Sequence, residues 1–134
     1  MAQLLENAGH AVIATDLVDR GYGEARIDFL METQLLAPNI VTNPPFKMGE
    51  SFARHGLALG VRKMALLLRR QFLEGASRRD LLERTCLARV FVFSRRVTFS
   101  RGGEIEAPKG GMIAYAWFVW DRAHVGPPPL GWLP

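Results

Sequence analysis

The stretch Asn39-Ile40-Val41-Thr42-Asn43-Pro44-Pro45-Phe46 decides how the rest of the chain is read. Ile40, Val41 and Thr42 are β-branched and suit a short buried strand. The residues that follow stop it at once. A proline lacks the N–H that a ladder needs and holds φ near −65°, and Pro44 also pushes Asn43 toward extended backbone. The prediction is a buried strand that runs straight into a stiff turn. In that turn the Asn43 side-chain oxygen and a proline carbonyl are held as acceptors with few competing donors, and Phe46 offers a flat apolar face to a planar group. Acceptors that fix an amine can aim its lone pair, so these parts suit methyl transfer to a weakly nucleophilic amino group, where positioning outweighs base strength. The plain alternative is a rigid turn without chemistry, since Asn-Pro and Pro-Pro are common turn dipeptides.

Working outward, Ala2 to Ala8 reads as the last turns of a helix, with Gly9 placed to end it in the left-handed region. Ala11 to Thr15 is short, apolar and β-branched, and predicts a buried strand; Arg26 to Leu30 is a weak strand or a turn. Downstream, Glu50 to Leu59 predicts a helix with Phe52, Leu57 and Leu59 on the core side and Gly60 as its stop. Met64 to Leu68 predicts a strand ending at Arg69-Arg70. Ser77 with Asp80 three residues on resembles a capping box for a short helix, Arg78 to Arg84. Arg89 to Phe93 and Met112 to Trp120 read as strands joined by the polar, Gly-rich stretch Ser100 to Gly111, as in an antiparallel hairpin. The alternation predicts an α/β fold: an open, mostly parallel, doubly wound sheet with helices on both faces and a C-terminal antiparallel hairpin. Such sheets bind ligands beyond the carboxyl ends of their strands, where Asp16 and Asn43 to Phe46 are expected.

The chain has 134 residues, enough for one domain with one core, and its 49% apolar and 22% charged residues suit a globular protein. Residues 1–9 do not read as a signal peptide. The longest apolar run, Met112 to Trp120, is well short of the roughly 20 residues that cross a bilayer. Cys86 stands alone, and His10, His55 and His124 are far apart, so the sequence points away from a disulfide scaffold, a zinc finger or another metal site and toward a reducing, cytoplasmic setting without a membrane. The net charge of +4 is uneven. Residues 1–50 carry three basic side chains against seven acids, whereas residues 62–101 carry eleven against three, a balance of +8. The basic half could face a polyanion; alternatively its arginines solubilise one face.

Asp16, after the predicted Ala11–Thr15 strand, could accept from both hydroxyls of a ribose, or could simply cap a helix or sit in a solvated turn. Asp28 could accept from an adenine amino group while Phe29 or Leu17 packs on the ring. Taken with the Asn43 turn, these positions carry a resemblance. Ile40 to Phe46 looks like the catalytic motif of class I S-adenosylmethionine-dependent methyltransferases that modify exocyclic amines, especially the adenine-specific DNA enzymes of phage or prophage type. Ala11 to Gly23 resembles the second strand of that family with its ribose-binding acid, and Ile27 to Leu30 resembles the segment that contacts the cofactor adenine. The stretches Ala65 to Gly75, Arg89 to Arg96 and Ile113 to Asp121 are similar to later strands.

The resemblance implies a Rossmann-like methyltransferase fold and S-adenosyl-L-methionine as cofactor. It assigns catalysis to Asn43, Pro44, Pro45 and Phe46 and cofactor contacts to Asp16, Leu17, Asp28 and Phe29. DNA is the expected partner, with Arg69, Arg70, Arg95 and Arg96 meeting phosphates and the target base leaving the helix; Phe72 or Phe99 could help hold it, with a packing role the favoured alternative for each. The family's first strand, with the Gly-rich loop that cradles the methionine end of the cofactor, would precede the Ala2–Ala8 helix. The expectation is therefore a single methyltransferase domain over residues 1–134, truncated at its N-terminus and lacking that strand. Two alternatives accompany this reading. One is a protein glutamine methyltransferase, a group that also uses Asn-Pro-Pro with an aromatic, usually Tyr. The other is a catalytically silent nucleic-acid-binding module.

Overall fold

The computed structural model describes residues 1–95 and 113–134; the predicted loop 100–111, Arg96 and Phe99 lie outside the described residues. In chain order the elements are helix α1 (Ala2–Asn7), the short strands β1 (Thr15–Asp16) and β2 (Glu24–Ala25), strand β3 (Asn39–Thr42), helix α2 (Gly49–Leu59), strand β4 (Lys63–Arg69), helix α3 (Arg79–Glu83), and strands β5 (Leu87–Phe93), β6 (Tyr115–Asp121) and β7 (Leu130–Leu133). Single 3-10 turns lie at Phe29–Met31, Phe46–Met48, Arg70–Leu73 and Ala76–Arg78.

The centre of the fold is the unit β3–α2–β4. The two strands pair in parallel from Asn39↔Lys63 to Thr42↔Leu66, with α2 as the crossover. The face α2 turns inward is built from small residues: Gly49, Ala53 and Gly56 are its buried positions. A Cβ at Gly49 would stand 2.8 Å from Leu68 Cδ2, and one at Gly56 2.6 Å from Met64 Sδ. The helix therefore lies close against β4. Phe52 and Leu57, predicted to lead the core face, flank it and are only partly buried. Gly60, at φ +90°, ends the helix: its N–H donates to the Leu57 carbonyl and that of Val61 to the Gly56 carbonyl.

The main sheet has the order β3-β4-β6-β5-β7. β6 is antiparallel to both β4 and β5, while β7 runs parallel to β5, so among the described residues β6 alone opposes the other four strands. The sheet is mixed, and the predicted antiparallel pairing near the C-terminus is present as β5–β6. Strand β7 escapes a sequence reading because Leu130-Gly131-Trp132-Leu133 follows a Pro-rich run and has no alternation of its own. Gly131 admits it beside β5, since a Cβ there would lie 2.7 Å from the Phe91 ring.

One face of the sheet presents Met64, Leu66 and Leu68, then Ala116, Phe118 and Trp120, then Leu87 and Val90 to a single buried cluster closed by Ala53, Phe72 and Leu81. Burial of such side chains stabilises each by roughly 1.5–3 kcal/mol. The indole N–H of Trp120 is satisfied inside this core, donating to Thr85 Oγ1 at 3.1 Å, whose own hydroxyl donates to the Leu81 carbonyl.

Three expectations are corrected. The sheet is not doubly wound among the described residues: α2 and α3 bring Ala53 and Leu81 to the same cluster, and α1 buries nothing. The predicted buried strand Ala11–Thr15 shrinks to Thr15–Asp16, paired only with Glu24–Ala25 and partly exposed. Its residues have the right propensity, but a strand persists only where a neighbour takes its N–H and C=O groups. Finally, Ser77 does not cap. Arg78 occupies the N-cap of α3 with no side-chain hydrogen bond, and both Asp80 oxygens accept from Arg54 of α2 at 2.9 Å. The charged fork of a guanidinium outcompetes the single backbone N–H that a capping box would offer this carboxylate.

Candidate functional site

Strand β3 delivers Asn43 to the carboxyl end of the parallel pair, the edge at which open α/β sheets bind ligands. Pro44 is buried and anchors the turn, while Asn43, Pro45 and Phe46 are exposed. The Pro45 carbonyl accepts from the Met48 N–H at 2.8 Å, closing the 3-10 turn that leads into α2. Among the described residues no hydrogen bond engages the Asn43 side chain or the Pro44 carbonyl, whereas the Pro45 carbonyl is taken. Phe46 leaves 49% of its surface open. Its ring is held by the Arg69 guanidinium, 4.0 Å from its centroid, and by Tyr115 at 5.8 Å. Arg69 closes β4 directly opposite Tyr115 of β6. Two predicted site residues far apart in sequence, Phe46 and Arg69, are thus brought into contact.

The other predicted residues are placed differently. Asp16 accepts from the Val18 N–H through Oδ1 at 3.0 Å and from Arg20 Nε through Oδ2 at 2.9 Å. The Val18 bond first, and Arg20 beside it, lower its pKa below the usual carboxylate value. Asp28 accepts from the Leu30 N–H and caps the 3-10 turn that follows. Leu17 is exposed, whereas Phe29 is packed, with Phe52 at 4.9 Å and the edge of His55 at 5.1 Å. No described hydrogen bond or ion pair links Asp16 or Asp28 to the Asn43 turn. To accept from a ribose, Asp16 would have to release Arg20, an exposed pair whose loss costs less than about 1 kcal/mol.

Among the predicted arginines, Arg70 and Arg95 are exposed, and Arg96 lies outside the described residues. Because β5 runs in the same direction as β4, Arg95 follows β5 at the sheet edge that carries Arg69 and Asn43. Phe72 is buried, its ring edge-on to Phe118 at 5.2 Å, and packs rather than waits for a base. Sequence reasoning missed Lys47, Gln71 and Arg78, which share a small cavity with Phe46 and Arg69. The available signal was Gly75: a left-handed turn three residues before Arg78 can fold that side chain back.

Among the described residues no group of His, Cys, Asp and Glu is arranged to hold a metal ion, and no helix is long and apolar enough to cross a membrane. The fold and the site define a small α/β protein with a mixed sheet and a stiff Asn-Pro-Pro-Phe turn at the carboxyl end of a parallel strand pair. Comparison with protein-family models, curated proteins and solved structures finds no match to the chain.

Proposed function

We propose that this chain is an S-adenosylmethionine-dependent methyltransferase acting on an exocyclic amino group of nucleic acid, adenine in DNA first, in a reducing cytoplasm. The observation that carries the reading is the Asn43 turn, with two unengaged acceptors beside an exposed, braced aromatic ring. S-adenosylmethionine, when bound, supplies a methyl group on a positively charged sulfur, so the acceptor needs aiming more than deprotonation. The Asn43 oxygen and the Pro44 carbonyl accept the two amine hydrogens, and Phe46 stacks on the ring that bears the amine. A base in duplex DNA has to leave the stack to reach them. Arg70 and Arg95, exposed on the same sheet edge, suit phosphates and set register without reading sequence.

The +8 balance of residues 62–101 favours a nucleic acid over a protein glutamine as the acceptor. One observation favours a second reading, nucleic-acid binding without turnover: both oxygens of Asp16 are already taken. The test is transfer of a labelled methyl group to unmethylated adenine-containing DNA and to a glutamine peptide, alongside titration with S-adenosylmethionine. Transfer to DNA is expected, and Asn43→Ala should lower it on the order of a hundredfold with cofactor affinity unchanged. Full activity in Asn43→Ala would overturn the reading. DNA binding with neither cofactor binding nor transfer would replace it with the second.

A further inference from the structure

Beside the Asn43 turn lies a cavity of about 220 Å³ whose wall carries Phe46, Lys47, Arg69, Gln71, Phe72 and Arg78. It is smaller than the roughly 300–1,000 Å³ clefts that enclose whole drug-sized molecules, so it suits one chemical group. Three of these residues are cations, and among the described residues no carboxylate lines the wall. Among the described residues none of the three cations is in an ion pair, whereas Arg54 and Arg79 nearby are each matched to an acid.

Two of the cations are held in place by groups that leave their charge uncompensated. Arg69 rests on the Phe46 ring, and its Nε is shut off from solvent with no acceptor among the described residues. A guanidinium so under-bonded gains an acceptor only through its outer nitrogens, and buried donors left unsatisfied call for an explanation. Arg78 Nε donates to the Phe72 carbonyl at 3.2 Å and Nη2 to the Glu74 carbonyl, with its guanidinium 5.1 Å from the Phe72 ring centroid. The turn is shaped around it: Gly75 sits at φ +107°, and a Cβ there would lie 3.0 Å from Arg78 Nη2. Neutral carbonyls and ring faces thus pre-order two forked donors, which lowers the entropy cost of binding an anion.

We infer that this cavity is a phosphate-ester site, in which Arg69 and Arg78 donate to the phosphate oxygens, Lys47 adds charge at the mouth, and Phe46 meets the attached sugar or base. The phosphate chemistry stands on these residues; assigning it to the phosphate that flanks the target base rests on the methyltransferase reading above.

The test follows the amide resonances of Phe46 and Gln71 by NMR while the protein is titrated with adenosine 5′-monophosphate, adenosine and a single-stranded DNA oligonucleotide. The monophosphate should shift both amides and bind at least about tenfold more tightly than adenosine, the worth of one charge-assisted hydrogen bond. Arg78→Gln should erase that advantage and Arg78→Lys should restore part of it. Should Arg78→Gln fail to fold, Lys47→Gln, an exposed change, should still weaken monophosphate binding severalfold. Equal binding of nucleoside and nucleotide, or shifts that bypass Phe46 and Gln71, would overturn the site. The oligonucleotide separates the sources: shifts from both it and the monophosphate support a strand phosphate, and shifts from the monophosphate alone overturn the strand assignment. Phosphate binding that persists in a protein without methyl transfer would count against the methyltransferase reading alone.

Discussion

Residues 1–43 and the rest of the chain are built on opposite terms. The first region contains Leu4, Leu5, Val12, Ile13, Leu17 and Val18, yet no residue before Pro44 is buried; Leu4 is 73% and Met31 76% exposed. Up to residue 28 its strands are two residues long and its side-chain hydrogen bonds stay within the segment, such as Tyr22 donating to Glu6 and Arg20 donating to Asp16; only from Phe29, Leu35 and Ile40 onward does it pack against the rest. Beyond Pro44 the same kinds of residue close a core around Trp120, Phe118, Met64 and Leu66, each fully shielded from water. The difference is the partner. The later apolar runs form long strands that pair side by side and share a helix, whereas the early runs meet only a two-residue ladder. Hydrophobic sequence stabilises a fold only where a second apolar surface is there to meet it.

The largest expected effect that tests this contrast is in amide exchange. Amides of β4 and β6 should open only with the whole molecule, while those of residues 2–31 should exchange on the order of a thousandfold faster through local opening. Comparable protection in the two regions would break the comparison. Next in size, Trp120→Ala should lower unfolding free energy by about 3–5 kcal/mol in urea titration, because it opens a cavity in the core and removes the donor to Thr85 Oγ1. Leu4→Ala should change it by less than about 0.5 kcal/mol. A large loss from Leu4→Ala would show that α1 packs where it is described as exposed.

The smallest effect concerns the tie between α2 and α3. Hydrogen bonds from Arg54 hold the Asp80 carboxyl down to about 2. A carboxylate lowered in the folded state contributes stability that is present above its ordinary value of 3.8 and lost as the pH falls through about 2. Asp80→Asn should therefore cost a little stability at neutral pH, and the gap from the unchanged protein should close across that acid window. The pair is half exposed, so the effect stays small. A gap that persists unchanged at pH 2 would assign the loss to packing instead of charge.

Much of this architecture was legible residue by residue. The β-branched run 40–42 broken by two prolines marked β3 and its turn, Gly60 marked the end of α2, and the apolar runs 64–68, 89–93 and 112–120 marked the central strands. Each of these depends on backbone preferences and on hydrophobic runs, which are properties of neighbouring residues in the chain. The small residues spaced along one face of α2 were harder to read, because Gly49 and Gly56 become a packing face only when β4 side chains lie 2.6–2.8 Å from where their Cβ atoms would be.

The sequence by itself determined the stiff Asn-Pro-Pro-Phe turn, the strands that carry the core and the basic character of the second half, because those follow from local sterics, hydropathy and charge. Only the tertiary structure decided that Ala11 to Ala14 goes without a sheet, that Asp80 answers Arg54 and not Ser77, and that Phe46, Arg69 and Arg78 meet around one cavity. These outcomes are set by which groups compete for the same partner between segments distant in the chain, which the preferences of neighbouring residues do not fix.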